Sequence, residues 1–224
     1  MLNKFKILFW VIWLVLLALV PITIFRNQPI NSVLLMPSVL SHFIQRLLGL
    51  TAFVLLFWQV LLGSNMEWFT NRVGGWVFRF HIVEGVVIYT LVFLHPVMFL
   101  VFNYFQGKGF DPFYVFTQIC VLCPNRLELY YTLGRVSFWL LTIAVFAGLF
   151  RAATPFMRAN WRKFHVLNYL VFLIIGIHGL SIGTDFMTEP FFGFAIVAYL
   201  VVLYIVIIKK LPQLYMVLKN WWQV

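Results

Sequence analysis

Residues 161–184 read WRKFHVLNYLVFLIIGIHGLSIGT, a stretch apolar enough to cross a bilayer, with His165 near its start and His178 near its end. Residues 80–103, FHIVEGVVIYTLVFLHPVMFLVFN, repeat the arrangement with His81 and His95. A histidine inside a membrane span is costly and marks a functional site by default. His81 and His95 lie 14 residues apart and His165 and His178 lie 13 apart, so four of the five histidines form two matched couples. At about 1.5 Å of rise per residue, each helix offers two imidazoles about 20 Å apart within a hydrocarbon layer of about 30 Å.

One kind of ligand accounts for both depths. Heme iron accepts two imidazoles, one on each face of the ring. A heme between His81 and His165 and a second between His95 and His178 would engage all four histidines. A lone membrane histidine can equally hydrogen-bond a carbonyl or hydroxyl on a neighbouring span. Four at matched depths on two helices favour shared ligation. Because both axial positions would be filled, chemistry would proceed by electron transfer at the ring edge, not at the iron.

The remainder of the chain fits that frame. Of 224 residues, 63% are hydrophobic and 10% charged, which describes a membrane protein rather than a soluble domain. Six apolar runs are long enough to span a bilayer: 7–24, 43–62, 80–103, 132–150, 164–182 and 191–208. The expected fold is an all-α six-helix membrane bundle, a single domain over 1–224, with two stacked hemes between its third and fifth spans. The first run follows Lys4 and Lys6 like a secretory signal. It is long, contains Pro21 and has no small-residue cleavage site after it, so a retained helix is expected.

Basic residues set an orientation. One side would hold Lys4, Lys6, Arg72, Arg79, Arg151, Arg158, Arg162, Lys163, Lys209, Lys210 and Lys219, the other only Arg26, Arg46, Lys108, Arg126 and Arg135. That bias places both termini in the cytoplasm, with the plasma (inner) membrane as the expected location. The net charge of +10 is then explained by anionic headgroups and needs no nucleic acid.

The run Arg46-Leu-Leu-Gly49-Leu ending in Leu62-Gly63-Ser64, the segment Phe78-Arg-Phe-His81 to His95-Pro96, and Trp161-Arg-Lys-Phe-His165 to His178 resemble the ferric reductase-like transmembrane domain. That superfamily includes the membrane halves of ferric reductases and NADPH oxidases. The resemblance covers the second to the sixth span and implies two b-type hemes that pass single electrons outward to a ferric chelate or oxygen. A more distant likeness is to the heme subunit of the periplasmic methionine sulfoxide reductase system, whose pattern lacks the inner histidine of the first couple. No Gly-rich dinucleotide fingerprint follows a strand. A separate flavoprotein, a quinol, or a domain outside this sequence is therefore expected to supply electrons, and a diheme cytochrome b subunit exchanging electrons with quinone is the alternative.

Other residues carry weaker signals. Arg46 and Arg135 open the second and fourth spans, where a guanidinium could bind heme propionates or simply reach the headgroups. Arg79, Arg162 and Lys163 could serve an inner heme likewise. Glu84, one turn from His81, is expected to hydrogen-bond a ligand or a neighbour. His42 reads as an interfacial cap, with acceptor binding as the other possibility. Cys120 and Cys123, in Cys-Val-Leu-Cys-Pro, lack the following histidine of covalent heme attachment. A small disulfide, a redox pair and two free thiols all remain open. On an ideal helix 14 residues return to within about 40° of the starting face, but 13 end about 140° away. An irregular turn near Gly176 and Gly179 is therefore expected to bring His165 and His178 to one side.

Overall fold

The computed structural model describes residues 4–211, and Lys219, counted above for orientation, lies outside them. Among the described residues every regular element is helical. Six helices are long and apolar enough to cross a membrane: Lys4–Asn27, Pro37–Ser64, Trp76–Phe105, Arg126–Leu149, Pro155–Ile182 and Phe191–Lys209. We label α1 (Lys4–Asn27), α2 (Ile30–Val33), α3 (Pro37–Ser64), α4 (Met66–Arg72), α5 (Trp76–Phe105), α6 (Pro112–Phe116), α7 (Arg126–Leu149), α8 (Pro155–His165), α9 (Leu167–Ile182) and α10 (Phe191–Ile205).

Local chemistry explains the starts. Pro37 occupies the first turn of α3, where its missing N–H is not needed. Asn125 caps α7 by accepting from the amide of Glu128, and Thr154 caps α8 by accepting from the amide of Met157. The observed helices extend beyond most of the expected apolar runs, since polar first and last turns carry little hydropathy signal. The fifth span is two helices, joined at Val166.

The core is a four-helix ring. α3 makes its most extensive contact with α5, and α7 with α9, while α5 also packs on α7 and α3 on α9. α5 and α9 therefore lie on a diagonal, with α3 and α7 between them on either side. α1 covers α3, and α10 covers α9 and α3. Val20, Phe53, Phe172, Phe191 and Val202 fill the centre where these elements meet. Leu14 and Val15 on α1, Val86 and Val87 on α5, and Val197 and Leu200 on α10 face outward, as side chains in contact with lipid do.

One polar lock holds the face opposite the N-terminus. Arg46 Nε and Nη2 donate to the two carboxylate oxygens of Asp185 at 2.5 and 2.9 Å, and Nη1 donates to Gln28 at 2.6 Å. Asn27 adds a bond to the same carboxylate at 2.6 Å. The lock joins α1, α3 and the α9–α10 connection. Asp185 is 2% exposed, so removing it strands a guanidinium among buried groups. Asp185→Ala should lower stability by about 3 kcal/mol, read from unfolding in detergent micelles with increasing denaturant, whereas a change under about 1 kcal/mol would show the lock to be peripheral.

Candidate functional site

His81 and His95 stand on α5, His165 ends α8 and His178 stands on α9, and three of the four rings are tethered in the same way. His95 Nδ1 lies 2.8 Å from the carbonyl of Gln45, His178 Nδ1 2.8 Å from that of Tyr130, and His165 Nδ1 3.0 Å from that of Ala144. A carbonyl can only accept, so Nδ1 carries the proton in each ring and Nε2 presents a lone pair. This is the arrangement by which metal-bound histidines are oriented and made more basic.

The sequence reading did not anticipate how those carbonyls become reachable. Each already accepts the helical amide four residues on, and in all three cases that residue is glycine: Gly49 after Gln45, Gly134 after Tyr130, and Gly148 after Ala144. Side chains on a helix lean back toward its N-terminus, so a Cβ there would cover the second lone pair of the carbonyl. A Cβ built on Gly49 would fall 2.8 Å from the His95 ring, on Gly134 2.8 Å from His178, and on Gly148 3.2 Å from His165. Gly63 stands at the matching position for His81, with more room at 3.6 Å. The available signal was spacing. Gly49 and Gly63 on α3, like Gly134 and Gly148 on α7, are 14 residues apart, the interval of His81 and His95.

His81 and His165 face each other with ring centres 6.1 Å apart and planes at 75°. Imidazole nitrogen binds metal at about 2 Å, so two rings on opposite sides of one metal have centres roughly 6 Å apart. His81 Nδ1 is buried without a hydrogen-bond partner. The carbonyl that the pattern assigns to it is that of Gln59, four residues before Gly63. Glu84 touches neither ring. It accepts from Trp13 Nε1 at 2.6 Å and from the Gln59 amide, on the side of α5 turned to α1 and α3.

The other couple opens on a cavity of about 270 Å³ that both His95 and His178 line. Leu50, Phe53, Phe99, Phe138 and Leu141 form its apolar wall, and His42, Arg46, Arg135 and Asp185 its polar margin. Gln45 Oε1 and Ser137 Oγ also line it and are buried without partners. The lining thus suits a bulky apolar group held by imidazole nitrogens. Among the described residues no three His, Cys, Asp or Glu side chains gather to hold a bare ion, so the donors come as pairs.

The rim arginines are engaged with protein. Arg46 is bound to Asp185 and Gln28, as above. Arg135 donates to the Gln118 carbonyl at 2.6 Å, stands 3.6 Å from Glu128, and lies over the Tyr114 ring at 4.7 Å. Burial pushes the Tyr114 phenol up to about 12, helped by its bond to Glu128 at 2.6 Å, so it stays a donor. His42 lies against Phe102, with ring centres 5.1 Å apart and planes tilted by 36°. At the N-terminal face Arg79 and Arg162 are exposed, and Arg162 lies 5.6 Å from the centre of the Trp161 ring.

The expected irregular turn near Gly176 and Gly179 is not there. α9 is regular across both, and the break sits at Val166, next to His165. Tyr169 N bonds back to the Val166 carbonyl at 3.1 Å, a three-residue closure that advances the helix by roughly 20° more per residue than an α turn. The two glycines serve packing instead. A Cβ on Gly176 would meet Tyr199 at 2.7 Å and one on Gly179 would meet Phe186 at 2.6 Å.

A paired substitution tests the cradle. Gly134→Ala should destabilise by about 1–3 kcal/mol because the methyl has no room beside His178. Gly85→Ala, where a Cβ meets nothing within 4 Å, should be neutral or stabilising by up to about 1 kcal/mol. Thermal unfolding of both variants in one detergent reads the difference, and equal effects would remove the cradle from the account.

The chain finds no match among protein-family models, curated proteins or solved structures.

Proposed function

We propose that this chain is a ferric reductase-like oxidoreductase component that carries electrons across a membrane through two b-type hemes. His81 with His165, and His95 with His178, would hold them. Hemes so held would supply one-electron chemistry. The observation that carries the reading is the tethering of imidazole Nδ1 to backbone carbonyls at glycine positions, which leaves Nε2 as a lone-pair donor inside an apolar bundle.

The chain's own residues do the positioning. Gly49, Gly134 and Gly148 admit the rings, and Gln45, Tyr130 and Ala144 fix their rotation and tautomer. The apolar wall formed by Phe53, Phe99, Phe138 and Leu141 excludes water and so favours the less charged, reduced state. Arg46 and Arg135 stand at the rim of the cavity, where a propionate would share guanidinium groups with Asp185 and the Gln118 carbonyl. The excess of basic residues at the N-terminal face supports a cytoplasmic donor, a separate flavoprotein or a quinol, with an acceptor such as a ferric chelate or oxygen on the outer side. The same bias supports a plasma (inner) membrane location with both termini inside.

The test is a pyridine hemochrome count with a reduced-minus-oxidised spectrum on purified protein. About two b hemes per chain are expected, falling to about one in each of His81→Ala, His95→Ala, His165→Ala and His178→Ala. Protein loaded with heme during expression that shows no visible absorption would overturn the reading. Reduction abolished by a quinone-site blocker would move it to a diheme subunit that exchanges electrons with quinone.

A further inference from the structure

Between α6 and α7 the chain presents Cys120 and Cys123, joined as a disulfide with their Cα atoms 5.3 Å apart. None of the chemistry described so far uses this bond. We propose that it is a thiol–disulfide exchange site for a cysteine-bearing protein at this face of the membrane.

The first argument is ring size. A disulfide stabilises a fold chiefly by closing a long loop in the unfolded chain, and the gain shrinks as the loop shortens. With a sequence separation of 3, this bond closes nearly the smallest loop available. Its contribution as a staple is correspondingly small. Two unions already pin the loop without it: the Gln118 carbonyl accepts from Arg135 at 2.6 Å, and the Cys120 amide donates to Thr132 Oγ1 at 3.2 Å.

The second argument is access. Val121 is 85% exposed and Leu122 96%, so the loop holds its two intervening side chains out from the protein. Exchange requires an incoming thiolate to approach a sulfur in line with the S–S bond, and exposed disulfides are the labile ones. An apolar Val-Leu tip between the two sulfurs gives a partner polypeptide something to grip. Cys120 and Cys123 are themselves half-buried and flank that exposed tip, on a loop fastened to α7 over a scaffold of packed helices, the kind of mounting on which reactive loops are found.

The chemistry balances without any further reagent. A partner thiolate attacks one sulfur of the pair, forming a mixed disulfide and releasing the other as a thiolate. A second partner thiolate then attacks the partner's own sulfur in that mixed disulfide. The partner dithiol is oxidised to a disulfide, and Cys120 and Cys123 are reduced to two thiols by the same two electrons. The reverse sequence reduces a partner disulfide.

The experiment uses the folded full chain in detergent micelles, equilibrated with mixtures of reduced and oxidised glutathione and then quenched with a maleimide that adds visible mass. The modified fraction should rise from none to two adducts per chain within about five decades of glutathione ratio, without denaturant. Cys120→Ser and Cys123→Ser should each trap a glutathione mixed disulfide on the remaining cysteine. The double variant should keep its helix content and unfold at the temperature of the parent. A pair that stays wholly oxidised or wholly reduced across the series, or exchanges only after denaturation, overturns the proposal. So does a double variant that fails to fold, since the bond would then be structural.

Discussion

A helix carbonyl has two lone pairs and ordinarily uses one. The interior of this bundle depends on the other being open at Gln45, Tyr130 and Ala144. An imidazole N–H left unbonded in hydrocarbon loses its full solvation, and the bilayer core has no water to restore it. By placing glycine four residues downstream, α3 and α7 convert saturated helix backbone into an acceptor surface. That one contact fixes the approach of the diagonal helices, the tautomer of each ring and the direction of its free nitrogen.

The couple of His81 and His165 departs from the pattern in an instructive way. His81 has the glycine and the candidate carbonyl, yet its Nδ1 is unpartnered and its contact with Gly63 is looser. Gln59, whose carbonyl would accept, directs its side chain to Glu84, which Trp13 holds from the other side. With no partner on Nδ1 and more room beside Gly63, this is the less constrained of the two ends. The couple of His95 and His178 lines a cavity with aromatic walls, and Arg46 and Asp185 stand at its margin.

Much of this was legible from residue order. Six spans followed from hydropathy, and the two histidine couples from their spacing. Cysteine proximity also followed, since two positions three apart cannot be far in space. What hydropathy could not convey was which neighbour each ring would meet. Gly134 and Gly148 read as unremarkable small residues in an apolar run, and their interval gains meaning only once α7 lies beside α9. Asp185 sits in a short connection, and residue order does not announce its partner Arg46, 139 residues away. Gly176 and Gly179 suggested a break because glycine weakens helices. Close packing against Tyr199 and Phe186 overrode that tendency, and the helix is interrupted at Val166 instead.

The diagonal placement of α5 and α9 also bears on how the molecule comes into being. Each couple draws one imidazole from residues 81–95 and its mate from residues 165–178, while the supporting carbonyls come from α3 and α7. A hairpin of α3 and α5 emerging early from the insertion machinery can seat His95 against Gln45, but it holds only one imidazole of each couple. His81 and His95 meet the rings of His165 and His178 only after α8 and α9 have left the ribosome and entered the bilayer, so the interior is completed after its first hairpin has been inserted.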